Sequence, residues 1–187
     1  VSNDAMSVAT ATEIAKRATI EMKLEAIVIG VSDVDRSKSF YSRLGWRLDA
    51  DFVVGNAFRV VQFTPPGSAC CVHFGKGLTS AEPGSAKVIY LVVPDIEAAR
   101  AELVARGVDA SEVYHRAGPG QPPIGGRDPE ARSYSSFATF ADPDGNGGCC
   151  RRSRTDCLVA RTRRTRHSRV FGACRCVAAG GFGTCRA

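Results

Sequence analysis

The chain repeats itself once. Val31-Ser32-Asp33-Val34-Asp35 returns sixty-two residues later as Val93-Pro94-Asp95-Ile96-Glu97, and Ala26-Ile27-Val28-Ile29 meets Val88-Ile89-Tyr90-Leu91 at the same offset. The correspondence runs on to Gly45 and Gly107. An internal repeat constrains architecture more than any other sequence feature, and two copies are too few for a solenoid, whose units bury their faces only by stacking. With 187 residues, the chain is read as two equivalent modules sharing a core.

Each copy opens with an Ile/Val-rich strand, Lys23–Val31 in the first and Ala86–Val93 in the second. A turn and a helix follow. Ser32 or Asp33 can cap the first helix, and Gly45 and Gly107 close the two helices, as glycines in left-handed backbone do. Strand-like runs at Trp46–Val54, Ala57–Thr64 and Ala69–Phe74 complete a β-α-β-β-β module, about 22–77. Module two, about 84–147, continues with a short strand near Val108–Tyr114 and a Gly/Pro-dense long loop over Ala117–Arg132. Ser135–Ala141 is its next strand, and Asp142-Pro143-Asp144-Gly145 is a hairpin turn. The strand that should start near Asn146 has no periodicity to mark it and is read as disrupted. The class is α+β.

Charge and cysteine divide the chain. Residues 148–187 hold ten Arg, no Lys and a single acid, Asp156, whereas residues 1–147 carry 15 Lys plus Arg against 18 Asp plus Glu. The net charge of +6 thus belongs to the C-terminal stretch. That stretch reads as an irregular Arg/Cys-rich tail, of the kind that out-of-frame reading of a GC-rich gene near Gly148 would produce. Phosphate binding by Arg161–Arg169, or zinc binding by Cys157, His167, Cys174 and Cys176, would be accidents of such a composition, so no nucleic-acid partner is expected. Residues 1–21 read as a flexible extension without a signal-like apolar run. No run approaches a membrane span. A cytoplasmic location follows as the default.

The first strand, Val31-Ser32-Asp33-Val34-Asp35-Arg36-Ser37, Phe40-Tyr41, Leu44-Gly45-Trp46 and the late Asp142-Pro143-Asp144-Gly145-Asn146 together resemble the vicinal oxygen chelate superfamily. That group includes glyoxalase I, extradiol dioxygenases, and bleomycin and fosfomycin resistance proteins. The resemblance implies two βαβββ modules whose curved sheets enclose a shared pocket. In the metalloenzymes of the group, each module offers one ligand on its first strand and one on its fourth. Those positions fall here on Ala26 (with Glu25 adjacent), His73, Val88 and near Cys149. Only His73 is a competent ligand in a secure position. No cofactor is therefore assigned, and a divalent metal on His73 is kept as the alternative.

Strand alternation groups Ala26 and Val28 on one face and Val88 and Tyr90 on the matching face of module two. With His73 these five are the pocket candidates. Arg59 and Gln62 lie on opposite faces of one strand, so at most one reaches the pocket. Cys70 and Cys71 also point oppositely. His115 and Arg116, with Arg127 and Arg132, flank the loop as ordinary surface charges or as a cationic lid. The Asp142–Gly147 segment is a turn, since Ser153 stands where a calcium loop needs its last acid. The reading is a small-molecule-binding protein, with a homodimer as the expected assembly. The alternatives are a glyoxalase-type lyase or dioxygenase using His73, and an antibiotic-sequestering resistance protein.

Overall fold

The computed structural model describes residues 20–118 and 120–154. Module one consists of β1 (Ala26–Val28), α1 (Val34–Arg43), β2 (Arg47–Val54), β3 (Phe58–Thr64) and β4 (Cys71–Lys76). Module two consists of β5 (Ile89–Val93), α2 (Ile96–Ala105), β6 (Tyr114–Arg116), β7 (Pro123–Gly125), β8 (Ser136–Ala141) and β9 (Gly147–Arg152). The repeat survives down to backbone angles. Asp33 (φ −135°, ψ 110°) accepts from the Arg36 amide, and Asp95 (φ −130°, ψ 117°) accepts from those of Glu97 and Ala98. Each carboxylate satisfies an amide that the first helical turn leaves unpaired. Gly45 and Gly107 close the helices at φ 75° and 74°.

Two sheets result, ordered β1-β4-β3-β2 and β5-β9-β8-β6-β7. In each, the first strand of the module runs parallel to its last, β1 beside β4 and β5 beside β9. The inward faces share one apolar core. Phe40 and Tyr41 of α1 meet Phe63 and Phe74 of sheet one, while Phe40 also lies 6.4 Å from Phe140 of sheet two. Among the described residues no helix is long and apolar enough to cross a membrane.

The Asp142–Asn146 turn joins the modules. Buried Asp142 accepts from the Asp144 and Asn146 amides through Oδ1, and from Tyr41 Oη and Asn146 Nδ2 through Oδ2. Asn146 Nδ2 also donates to the Gly30 carbonyl just past β1, and Oδ1 accepts from the Ala86 amide ahead of β5. Asp144 reaches across to the Ser32 amide and hydroxyl and to Arg36. Burial alone would raise the Asp144 carboxyl; the bonds from Ser32 and the Arg36 charge outweigh it and hold the group below its ordinary range.

Three expectations change. The last strand is not disrupted: β9 pairs with β5 on one side and β8 on the other, at the centre of its sheet. It extends past residue 147, where the change in composition suggested that the module ends. Cys149 and Cys150 point to opposite faces and are both buried, so no alternation marks it. The Ala117–Arg132 segment is not wholly loop, because β7 folds back on β6 within it. The strand expected near Val108–Tyr114 begins only at Tyr114, since Val108, Ala110 and Val113 serve as buried filling and only Ala110 bridges to Phe140. The extension before residue 20 and the tail motifs at Cys157, Arg161–Arg169, Cys174 and Cys176 lie outside the described residues.

Asn146→Ala would leave the Ala86 amide without its partner and the Gly30 carbonyl with only the long bond from the Gly84 amide, at 3.4 Å. A loss of about 2–3 kcal/mol in urea unfolding is expected. Gly148 tests β9 itself: a Cβ there would sit 2.3 Å from the Phe140 ring. Gly148→Val should destabilise by about 1–3 kcal/mol or more through overpacking, whereas an irregular segment would accept it silently.

Candidate functional site

Strand register decides which side chains share a face. In sheet one, Ala26 lies opposite Cys71 and Val28 opposite His73, and His73 in turn opposes Gln62. The outward face therefore gathers Ala26, Val28, Cys71, His73 and Gln62. This settles the choice between Gln62 and Arg59. Arg59 points to the helix side, where it pairs with Asp35 and Asp51 at 2.8–2.9 Å. Hydrogen bonds from Arg59 hold both carboxyls below their ordinary range. Gln62 is buried and bonds to Asp49.

In sheet two, Tyr90 opposes Cys149, and Cys149 opposes Thr139. Val88, Tyr90 and Val92 thus share an outward face with Cys149, Arg151, Phe137 and Tyr114. The equivalence of the modules is direct, since Val28 beside His73 corresponds to Tyr90 beside Cys149. The five candidates are brought together as two groups, Ala26, Val28 and His73 on one sheet and Val88 and Tyr90 on the other. These faces are open in the single chain: Val28, Val88, Tyr90 and Val92 are 45, 55, 55 and 42 % exposed. None of the five lines either of two concavities elsewhere. One is a core void of about 10 Å³ between Tyr41, Trp46 and Phe140. The other is an open depression of about 460 Å³ bounded by Arg100, Glu112 and Gly126.

The metal positions do not fit a metal. Ala26 and Val88 have no donor atom. His73 Nε2 lies 3.4 Å from the Cys71 thiol, which is itself directed to the Glu25 carbonyl at 3.1 Å. Cys149 and Cys150 are buried, and that burial pushes the Cys149 thiol up and Cys150 up to about 11. Among the described residues no group of three or more His, Cys, Asp or Glu side chains converges on one point. A Lewis-acid site needs several such donors converging with open positions left for substrate.

The loop charges are largely spent on structure. Asp128 is buried and accepts from the Arg132 amide and guanidinium at 2.6–3.0 Å. His115 Nδ1 lies 2.9 Å from the Gly126 carbonyl, and Arg116 donates to that of Gln121. The outward face of β9 is what the sequence left unread. Arg151 stands there with its guanidinium 4.3 Å from the Tyr90 ring centroid and 4.8 Å from that of Tyr134. Extending the strand register two residues past Cys149 would have found it.

The Glyoxalase/Bleomycin resistance protein/Dioxygenase superfamily pattern matches residues 23–147. The chain belongs to this superfamily. Solved members are similar across their whole lengths. TnmS3, an antibiotic binding protein from Streptomyces sp. CB03234, is 26% identical with a TM-score of 0.55, over 72% of this chain and 98% of its own. A glyoxalase/bleomycin resistance protein from the same organism is 27% identical with a TM-score of 0.52, over 69% of this chain and 99% of its own. A superfamily member from Sphaerobacter thermophilus DSM 20745, 23% identical with a TM-score of 0.53 over 71% and 98% of the two chains, shares the fold. No curated protein matches.

Asp128 makes this superfamily member's stability depend on acid. Bonds from Arg132 hold its carboxyl down at about 2 in the folded chain. A depressed folded value stabilises above the ordinary carboxylate range and loses that contribution as pH falls through it. Asp128→Asn should therefore weaken the fold at neutral pH and flatten the decline in unfolding free energy between about pH 4 and pH 2. Urea titrations of both proteins across that range check it.

Proposed function

We propose that this protein binds a small organic molecule, in the manner of an antibiotic-sequestering member of its superfamily, without metal-dependent turnover. One observation carries the reading: two of the four positions that supply metal ligands in the superfamily's metalloenzymes are hydrocarbon here, Ala26 and Val88, on outward faces with Val28 and Tyr90. Such faces offer apolar area with a few polar groups, which is what small-ligand sites need. The similarity to TnmS3, an antibiotic binding protein, points the same way.

The open faces also support an assembly. A second copy of this chain covering Val28, Val88, Tyr90 and Val92 would remove exposed apolar surface from water and turn shallow sheet faces into an enclosed site. We take the binding unit to be a homodimer. Among the described residues Cys70, Cys71, Cys149 and Cys150 form no disulfide, which suits a reducing, cytoplasmic setting.

Equilibrium dialysis against bleomycin and a panel of aromatic antibiotics tests the function, with mass spectrometry of the recovered compound. Retention of at least one compound, recovered unchanged by metal-free protein, is the expected outcome. Val88→Asp should reduce that retention. Stoichiometric divalent metal that leaves with His73→Ala, together with metal-dependent turnover of a glutathione hemithioacetal or a catechol, would replace the reading with the lyase or dioxygenase one. Light scattering checks the dimer.

A further inference from the structure

We propose that Arg151 is an anion-recognition residue, and that the ligand of this protein is a planar aromatic molecule bearing a carboxylate. The inference rests on the small-molecule reading above and adds the chemical class. Arg151 sits on β9 between Val92 of β5 and Phe137 of β8. Its guanidinium carbon lies over two rings, Tyr90 at 4.3 Å and Tyr134 at 4.8 Å to the centroids. Tyr134 adopts φ 64° to take its place there, a backbone conformation side-chain-bearing residues rarely enter. Two ring contacts and a buried Nε thus anchor the cation against the sheet.

Its charge is uncompensated. Arg36, Arg47, Arg59, Arg100, Arg106 and Arg132 each reach a carboxylate. No carboxylate among the described residues pairs with Arg151, and its Nε is buried with no hydrogen-bond partner. Aromatic faces stabilise a cation from above and below but accept none of its in-plane N–H bonds. A fork of unpaired donors fixed in a partly dehydrated place matches a carboxylate, which accepts two parallel bonds.

The surroundings select the rest of the ligand. Phe137, next to Arg151 in the sheet, stacks on Tyr114 with centroids 5.5 Å apart. With Tyr90 these rings form an aromatic surface on the same face, suited to a flat π system. Arg116, 5.8 Å from the Tyr114 ring centroid, adds a second positive charge.

Calorimetric titration of the full chain with 2-naphthoate and with its neutral counterpart 2-naphthamide tests the inference. The expected result is a preference of about tenfold or more for the carboxylate, the worth of one charge-assisted hydrogen bond. Arg151→Met should bring naphthoate down to the naphthamide level and leave naphthamide unchanged, while Arg151→Lys should keep part of the preference. If the methionine variant does not fold, the wild-type ratio and its reduction in the lysine variant decide. Equal affinity of the wild type for both probes overturns the proposal, as does a preference that survives in Arg151→Met. Failure to bind either probe while dialysis still retains an antibiotic overturns this inference alone; retention of nothing in either experiment overturns both readings.

Discussion

The two modules meet through one buried amide and one buried carboxylate. β1 and β5 belong to different sheets, so no ladder can pair the Gly30 carbonyl or the Ala86 amide where those strands begin and end. Asn146 answers both with a single side chain, and Asp142 holds that side chain in place. The same turn ties down α1 through Tyr41 and Arg36. Buried backbone groups left unpaired are expensive, so this knot determines how the halves of the repeat can be joined.

That union spends the inward faces of both sheets on a common core and leaves the outward faces for function. Sheet one offers Val28, His73 and a buried, bonded Gln62. Sheet two offers Val88, Tyr90 and an arginine in contact with the Tyr90 and Tyr134 rings. The scaffold is the superfamily's, and at Ala26 and Val88, two of the four positions that the resemblance assigns to metal ligands, the side chains carry no donor atom. Fold and function separate at that point: the backbone is inherited, and the site is made by the side chains this chain places on it.

Much of the fold was legible. The helices, their aspartate caps and their closing glycines are local devices whose residues lie within a few positions of one another. Strand alternation placed Ala26 with Val28 and Val88 with Tyr90 on shared faces for the same reason. β9 was not legible, because its neighbouring Cys149 and Cys150 are buried on opposite faces and leave no alternation to read. Its Gly148 reads as a breaker until the Phe140 ring is seen occupying the space a side chain would need. With β9 unassigned, Arg151 had no face to belong to and could not enter the site.

The sequence by itself determined the two-module architecture, the turn that ends it and the lack of donors at Ala26 and Val88. Each is a matter of residue identity at positions the repeat aligns. Only the tertiary structure decided that Gln62 faces outward with His73 while Arg59 turns to Asp35 and Asp51, and that Arg132 is consumed by Asp128 while Arg151 keeps an unpaired fork. Those outcomes depend on which strands lie side by side and in what register. A one-residue change of register would reverse every face. Pairing between residues far apart in the chain therefore determines which charges this protein neutralises internally and which it leaves without a carboxylate partner.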